Sequence, residues 1–378
     1  VTLRAALAVI LLLTGAAVQA DDYPRTVIDL AGREVRIEAP PQRILLQDSN
    51  DLLALAILER EAPLARVVAF NNNLRGSDPS LWQLLMERWP AAAQIPTLGF
   101  SSAGDVDIER VIRLHPDLLV VRLEARPAVE NSVLGSLLER LGIPLIYVDS
   151  QDDPLRNVPR SLLLLGDVLN RQARARAYVD AYQAKLHELQ RRSRDLPKPR
   201  VFIEARAGQA GSGSCCHTQG DKGWGAMVKA LGATNLGSRL LLGDSGDVAL
   251  EMLIRSKPDH YVMTGTQRLR EGVGALPFGY RADPGAVQDH LHRLLQRPGF
   301  ERIRKAPNHC VHGLYHQFYN SVFNVIGVEY LASMLWPQAF ADLDAQASYR
   351  AWIARFTELP DAPLVFSARH CGIDEATP

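Results

Sequence analysis

Cysteine is scarce in this chain: there are four in 378 residues, and two of them are adjacent, Cys215 and Cys216. The C-x₂-C spacing of structural zinc sites is missing. Neither sign of charge is in surplus, since 42 basic residues balance 42 acidic ones. That balance argues against nucleic acid or an anionic membrane as the main partner. Beyond the first twenty residues no stretch is long and apolar enough to span a bilayer. Neither G-x-S-x-G nor H-E-x-x-H occurs, so two common hydrolase signatures are excluded. Glycine and serine are sparse between residues 159 and 195, which excludes a flexible linker there.

The first twenty residues, VTLRAALAVILLLTGAAVQA, place one charge, Arg4, before an apolar run and small residues before Asp21. This is the pattern of a secretory signal peptide cleaved after Ala20, so residues 1–20 are expected to be removed and the mature protein to be periplasmic. No cysteine stands at the cleavage point to carry a lipid. The remaining 358 residues exceed what one core usually serves, and two domains are expected.

An internal repeat divides the chain. GDVDIERVIRLHPDLLV (104–120) and GDVALEMLIRSKPDHYV (246–262) agree at 9 of 17 positions at an offset of 142 residues. Each copy reads as a short helix capped by Asp105 or Asp247, with Glu109 or Glu251 in its first turn. Pro116 or Pro258 ends the helix, and an apolar strand follows. Around the first copy lie the strands RILLQD (43–48), RVVAF (66–70) and IPLIYVD (143–149), with helices at 51–60 and near 131–141. Around the second lie RVFIEA (200–205), helices near 224–231 and 286–296, and the strand HCVHGLY (309–315).

Strands alternating with helices imply parallel sheets covered on both faces. The fold class expected is therefore α/β, with two Rossmann-like lobes at 21–155 and 197–378. The Ala-, Leu- and Arg-rich segment 156–196 between them reads as a long helix, with Tyr178, Tyr182 and Leu186 on one stripe.

These features together resemble the periplasmic binding proteins of ABC importers for ferric siderophores, haem or cobalamin. The resemblance rests on TVIDLAGREVRIEAPPQRI (26–44), the two helix–Pro-Asp–strand units, LGIPLIYVD, KPRVFIEA, KALGATNLG (229–237) and VIGVEYLASMLWPQAF (325–340). It implies a binding protein rather than an enzyme, acting as a monomer with no cofactor of its own. The expected ligand is an iron(III)–siderophore complex, with haem or cobalamin as the alternative. The implied partner is an inner-membrane permease, docked through Glu109 and Glu251.

Ligands of open α/β sheets bind beyond the carboxyl ends of the strands. The loop GSGSCCHTQGDKGWG (211–225) leaves the first strand of the second lobe, and from 206 to 222 it shows no periodicity. It is therefore expected to line the cleft, its glycines permitting close approach to ligand. From the strand ends the expected ligand contacts are Asn71, Arg75, Arg122, Arg206, His217, Lys222, Trp224, Tyr315, His316, Tyr319 and Asn320. Arginine and lysine suit the oxygens of an anionic chelate, and aromatics suit its flat parts. Cys215 and Cys216 are expected to be oxidised, with Cys310 and Cys371 as further partners and the connectivity open. No resident metal is expected. The alternatives are a metal ion held by His309, His312 and His316 with nearby cysteines, a thiol or metal-dependent hydrolase, or a two-lobed sensor that docks without transport.

Overall fold

The computed structural model describes residues 23–101, 106–211, 215–268, 274–304 and 310–371. The expected signal peptide, the Gly104–Asp105 start of the first repeat and His309 lie outside the described residues.

The first lobe contains β1 (Ile44–Leu46), helix α1 (Leu52–Leu58), β2 (Val67–Phe70), helix α2 (Pro79–Arg88), helix α3 (Ile108–Arg113), β3 (Leu118–Arg122) and β4 (Leu145–Val148). Its four-stranded sheet is all parallel, in the order β2-β1-β3-β4, and an antiparallel hairpin, Arg25–Ile28 with Glu34–Ile37, precedes it. Helices α4 (Pro154–Val168) and α5 (Gln172–Ser193) then lead to the second lobe. That lobe contains β5 (Arg200–Glu204), helix α6 (Gly223–Ala230), β6 (Thr234–Asn235), helix α7 (Leu250–Ser256), β7 (His260–Gly265), β8 (Cys310–Tyr315) and β9 (Ser367–Cys371). The order here is β9-β8-β7-β5-β6, parallel except for the antiparallel edge strand β9.

The repeat has one structural job in both lobes. The carboxylate of Asp117 accepts from the backbone N–H of Gln42 (2.7 Å) and of Arg43 (2.8 Å), at the entry to β1. Asp259 accepts from the backbone and side chain of Arg200 at the entry to β5, at 2.7–3.0 Å. Each Pro-Asp pair thus ends a helix and pins the neighbouring strand. Asp107 caps α3, accepting from Arg110 N–H. Asp247 lies in a strand, and Ala249, the residue before α7, gives the helix no side-chain cap.

Between the lobes, α5 buries the expected stripe: Tyr178, Tyr182 and Leu186 are all inside. Tyr178 sits in an aromatic box with Trp352, Phe356 and Phe323, at centroid distances of 4.8–6.3 Å. Its hydroxyl donates to the Val322 carbonyl at 2.5 Å, and that of Tyr182 donates to Asn324 at 2.6 Å. Full burial of one such ring contributes about 1.5–3 kcal/mol, and both hydroxyls find partners, so the strut is fixed along its length. The lobes also touch directly. Gly223 N–H donates to the Gln151 carbonyl (3.1 Å), Tyr280 N–H to Ser80 Oγ (3.0 Å), and Arg281 pairs with Glu87 (2.6 Å).

Candidate functional site

In both sheets the chain runs outward one way and then crosses back, which creates a switch point. It lies between β1 and β3 in the first lobe and between β5 and β7 in the second. Crevices at such points are where open α/β sheets bind ligands.

On the first lobe this point is acidic around one cation. Arg122, at the end of β3, is 2% exposed. It reaches Asp48 at 3.4 Å and Asp51 at 3.6 Å, and it donates to Ser150 Oγ. Ser150 in turn donates across the interface to the Asn320 carbonyl at 3.0 Å. Burial pulls the Arg122 pKa down, but Asp51, Asp48 and Asp149 outweigh it and hold the guanidinium charged. Burial pushes Asp51 up to about 6, against the pull of Arg122 and with the help of Asp48 and Asp149. Glu124, just beyond β3, is also raised by burial, and Arg122 opposes the rise.

The second lobe is the reverse. The acid at the end of β5, Glu204, is consumed by Arg297 in a buried two-point pair at 2.6 Å, and Tyr261 donates to it at 2.6 Å. The next turn carries Arg206 in a left-handed backbone conformation, φ +56°. A non-glycine residue there is strained and persists only when its surroundings hold it. Thr264 of β7 supplies the hold: its Oγ1 accepts from Arg206 N–H at 3.0 Å, and its carbonyl from Ala207 N–H at 2.8 Å. Arg268 follows β7 and spans the cleft, donating to the Gly76 carbonyl of the first lobe (3.1 Å) and to Gln209 (3.2 Å). Burial lowers the Arg268 pKa, and the Arg206 charge lowers it further. His316 is held well below its ordinary value, by burial first and then by Arg206, Arg268 and His217. Arg206 and Arg268 have no ion-pair partner among the described residues.

The expected contacts divide accordingly. Arg206 and His217 border a cavity of about 440 Å³ with Gln209, Cys215 and Asp247, and there His217 Nδ1 lies 2.9 Å from Asp247 Oδ1. Arg75 borders another of about 630 Å³ between the lobes. Tyr319 is half-buried beside the cations, its pKa raised by burial while Arg206 and Arg122 oppose the rise. The others are occupied within the protein. Trp224 is fully buried behind Tyr319, with ring centroids 6.3 Å apart. The Tyr315 hydroxyl donates to Asp78, and His316 Nδ1 lies 2.8 Å from Thr264 Oγ1. Lys222 bridges Asp152 (3.0 Å) and Asp244 (3.1 Å), and Asn71 donates to the Phe100 carbonyl at 2.8 Å. Asn320 contributes its carbonyl to Ser150.

The loop also differs from its reading. His217–Gln219 is a strand, paired antiparallel with Ser245–Asp247. Two of its glycines are needed for close packing: a Cβ on Gly225 would lie 1.7 Å from the Gly220 carbonyl oxygen, and one on Gly220 would lie 2.9 Å from that of Gly243. Cys215 and Cys216 bond to each other, and Cys310 bonds to Cys371 across β8 and β9. The loop is therefore not tied to the sheet edge. Among the described residues no group of three or more His, Cys, Asp or Glu converges on a metal position. His312 faces His260, with ring centroids 6.0 Å apart, rather than His316.

Arg268 was absent from the expected contacts. The strand-end rule applied to β7 would have found it, because the residue lies three positions past the strand. Glu109 and Glu251 are both exposed in the first turns of α3 and α7.

Comparison with known proteins agrees with this architecture. A structure from Veillonella parvula, titled a TroA-like periplasmic binding protein FepB, is 21% identical with a TM-score of 0.81, covering 92% of this chain and 100% of its own. The molybdate-bound periplasmic binding protein MolA of a Haemophilus influenzae ABC transporter is 17% identical (TM-score 0.61, 88% and 97% covered). An ABC-type Fe3+-hydroxamate transport system structure from Saccharomonospora viridis is 19% identical (TM-score 0.51, 83% and 99%). No curated protein matches the chain significantly. The model of the periplasmic binding protein family matches residues 61–305, more than half of the sequence, and with the two-lobed fold it shows that this chain belongs to that family of solute-binding components of ABC transporters.

Proposed function

We propose that this protein captures an anionic ferric siderophore in the interlobe cleft and delivers it to an ABC permease, having been exported by its first twenty residues. The observation that carries the reading is the pair Arg206 and Arg268. Two guanidiniums face the cleft at the second lobe's switch point, and neither has a carboxylate partner among the described residues. Charge-assisted hydrogen bonds from such groups suit carboxylate or catecholate oxygens. His217 and Tyr319 add a polar and an aromatic contact beside them. Glu109 and Glu251 dock the permease from the exposed first turns of matching helices.

Haem would ask for an axial ligand. Tyr315 and His316 are engaged with Asp78 and Thr264, which leaves Tyr319 for that role. The visible spectrum of protein purified from iron-replete periplasm separates these readings. A ligand-to-iron charge-transfer band is expected. A Soret band would replace the siderophore with haem, and colourless protein that takes up no ferric chelate on titration would overturn both.

A further inference from the structure

We propose that the cavity of about 630 Å³ beside the cleft is a second compartment of the ligand site, one that receives an apolar arm carried by an anionic chelate. The proposal rests on the reading of the cleft given above. One wall is helix α2 and the turn after it, contributing Trp82, Met86, Ala93 and Ile95; the other is the second lobe's Arg268 and Tyr280. Trp82 is buried from behind, Met86 and Ile95 are half-exposed, and Ala93 is exposed. Arg281, paired with Glu87 at 2.6 Å, also lines the chamber.

The lining is mixed: Asn72, Arg75, Gln83 and Gln267 share the chamber with the apolar surface of Trp82, Met86, Ala93 and Ile95. Arg268 belongs both to its lining and to the cationic cluster with Arg206 and His316, so it marks where chamber and cleft join. At that junction the Arg268 Nε donor is buried without an acceptor among the described residues. Buried polar groups in folded proteins are nearly always hydrogen-bonded, so this orphaned donor on a lining residue marks a place for a ligand oxygen. Beyond the junction, helix α2 and the turn after it supply the carbon surface of Trp82, Met86, Ala93 and Ile95. A bare oxyanion or a compact chelate fills only the junction, whereas a chamber of this volume is in the range that holds a whole organic substituent. The ligand class is therefore an amphiphilic chelate, with its charged head on Arg206 and Arg268 and its aryl or alkyl arm against Met86 and Ile95.

The test uses the full chain and two matched probes, the ferric complexes of catechol and of 4-tert-butylcatechol, each in excess catechol, with bound iron read by equilibrium dialysis. The wild type should bind the butylated complex at least tenfold more tightly, a modest share of what burying four carbons can contribute. Ala93→Phe, which fills the chamber from an exposed position, should bring that ratio to about one while changing catechol-complex affinity less than twofold. Met86→Asp should lower the ratio without filling space, and unchanged thermal midpoints would show both variants folded. Equal binding of the two complexes by the wild type, or a preference that survives in Ala93→Phe, overturns the second compartment and leaves the cleft reading standing. Failure of both complexes to bind overturns the cleft reading and this inference with it.

Discussion

The two lobes repeat one αβ plan, yet at the equivalent switch point they carry opposite charge. In the first lobe the acids Asp48 and Asp51 surround Arg122 and absorb its charge. In the second, Arg297 absorbs the acid at the end of β5, Glu204, and Arg206 and Arg268 have no ion-pair partner among the described residues. Each lobe thus buries one arginine–carboxylate group, and the partner left over decides the sign of the face. A duplicated scaffold conserves strand pinning through Asp117 and Asp259 while its strand-end residues diverge, because pinning is a backbone requirement and cleft charge is not.

The largest effects should come from the feature the lobes share. Glu109→Arg with Glu251→Arg should abolish uptake of the ferric ligand by cells while the purified protein keeps its affinity. Loss of binding in the purified variant would place these residues in the cleft or the fold. A single substitution that sufficed by itself would break the equivalence of the lobes.

Next comes the unpaired charge. Arg206→Ala and Arg268→Ala should each weaken binding of a ferric catecholate about 10–100-fold, the scale of a hydrogen bond to a charged group of about 1.5–3 kcal/mol. Titration by tryptophan fluorescence would measure it, and unchanged affinity in the double variant would move the ligand to the first lobe. Arg122→Ala should act on stability instead. It strands buried carboxylates, which costs about 3–5 kcal/mol when one partner of a buried ion pair is removed. Urea unfolding should show that loss, and a variant as stable as the wild type would mean that Asp48 and Asp51 are not held as described.

The last effects concern pH, and here the lobes should oppose each other. The folded Asp51 has its pKa raised from 3.8 to about 6. Its stabilising contribution is complete below about 3.8 and is lost as the pH rises through 6. Burial, aided by His260 and Arg369, holds the His312 pKa down, from 6.5 to about 3. Its contribution is complete above 6.5 and is lost as the pH falls toward 3. Between pH 7 and pH 4, Asp51→Asn should therefore lose stability more steeply than the wild type, and His312→Gln less steeply. Each difference should be on the order of 2–3 kcal/mol, because a tenfold change in proton affinity on folding corresponds to about 1.4 kcal/mol. Urea unfolding at a series of pH values would measure it, and parallel profiles for all three proteins would remove the contrast.

The amino-acid sequence by itself determined the α/β plan, the duplication and the strut. Those follow from local signals: hydrophobic period, proline stops and a repeat at fixed offset, each acting within a few turns of chain. The strand-end rule likewise brought Arg206, His217 and Arg75 to cavities in the cleft region. Only the tertiary structure decided which strand-end side chains remain free. Lys222, Trp224, Tyr315 and His316 stand at the right ends but are claimed by Asp152 and Asp244, by the core, by Asp78 and by Thr264. Asp78 lies 237 positions from Tyr315 along the chain, and Thr264 lies 52 from His316. An ion pair or buried hydrogen bond depends on distance in space, which no local pattern encodes. The disulfides divide the same way: oxidation was legible from the expected compartment, whereas the pairing of Cys310 with Cys371 required β8 and β9 to lie side by side in register.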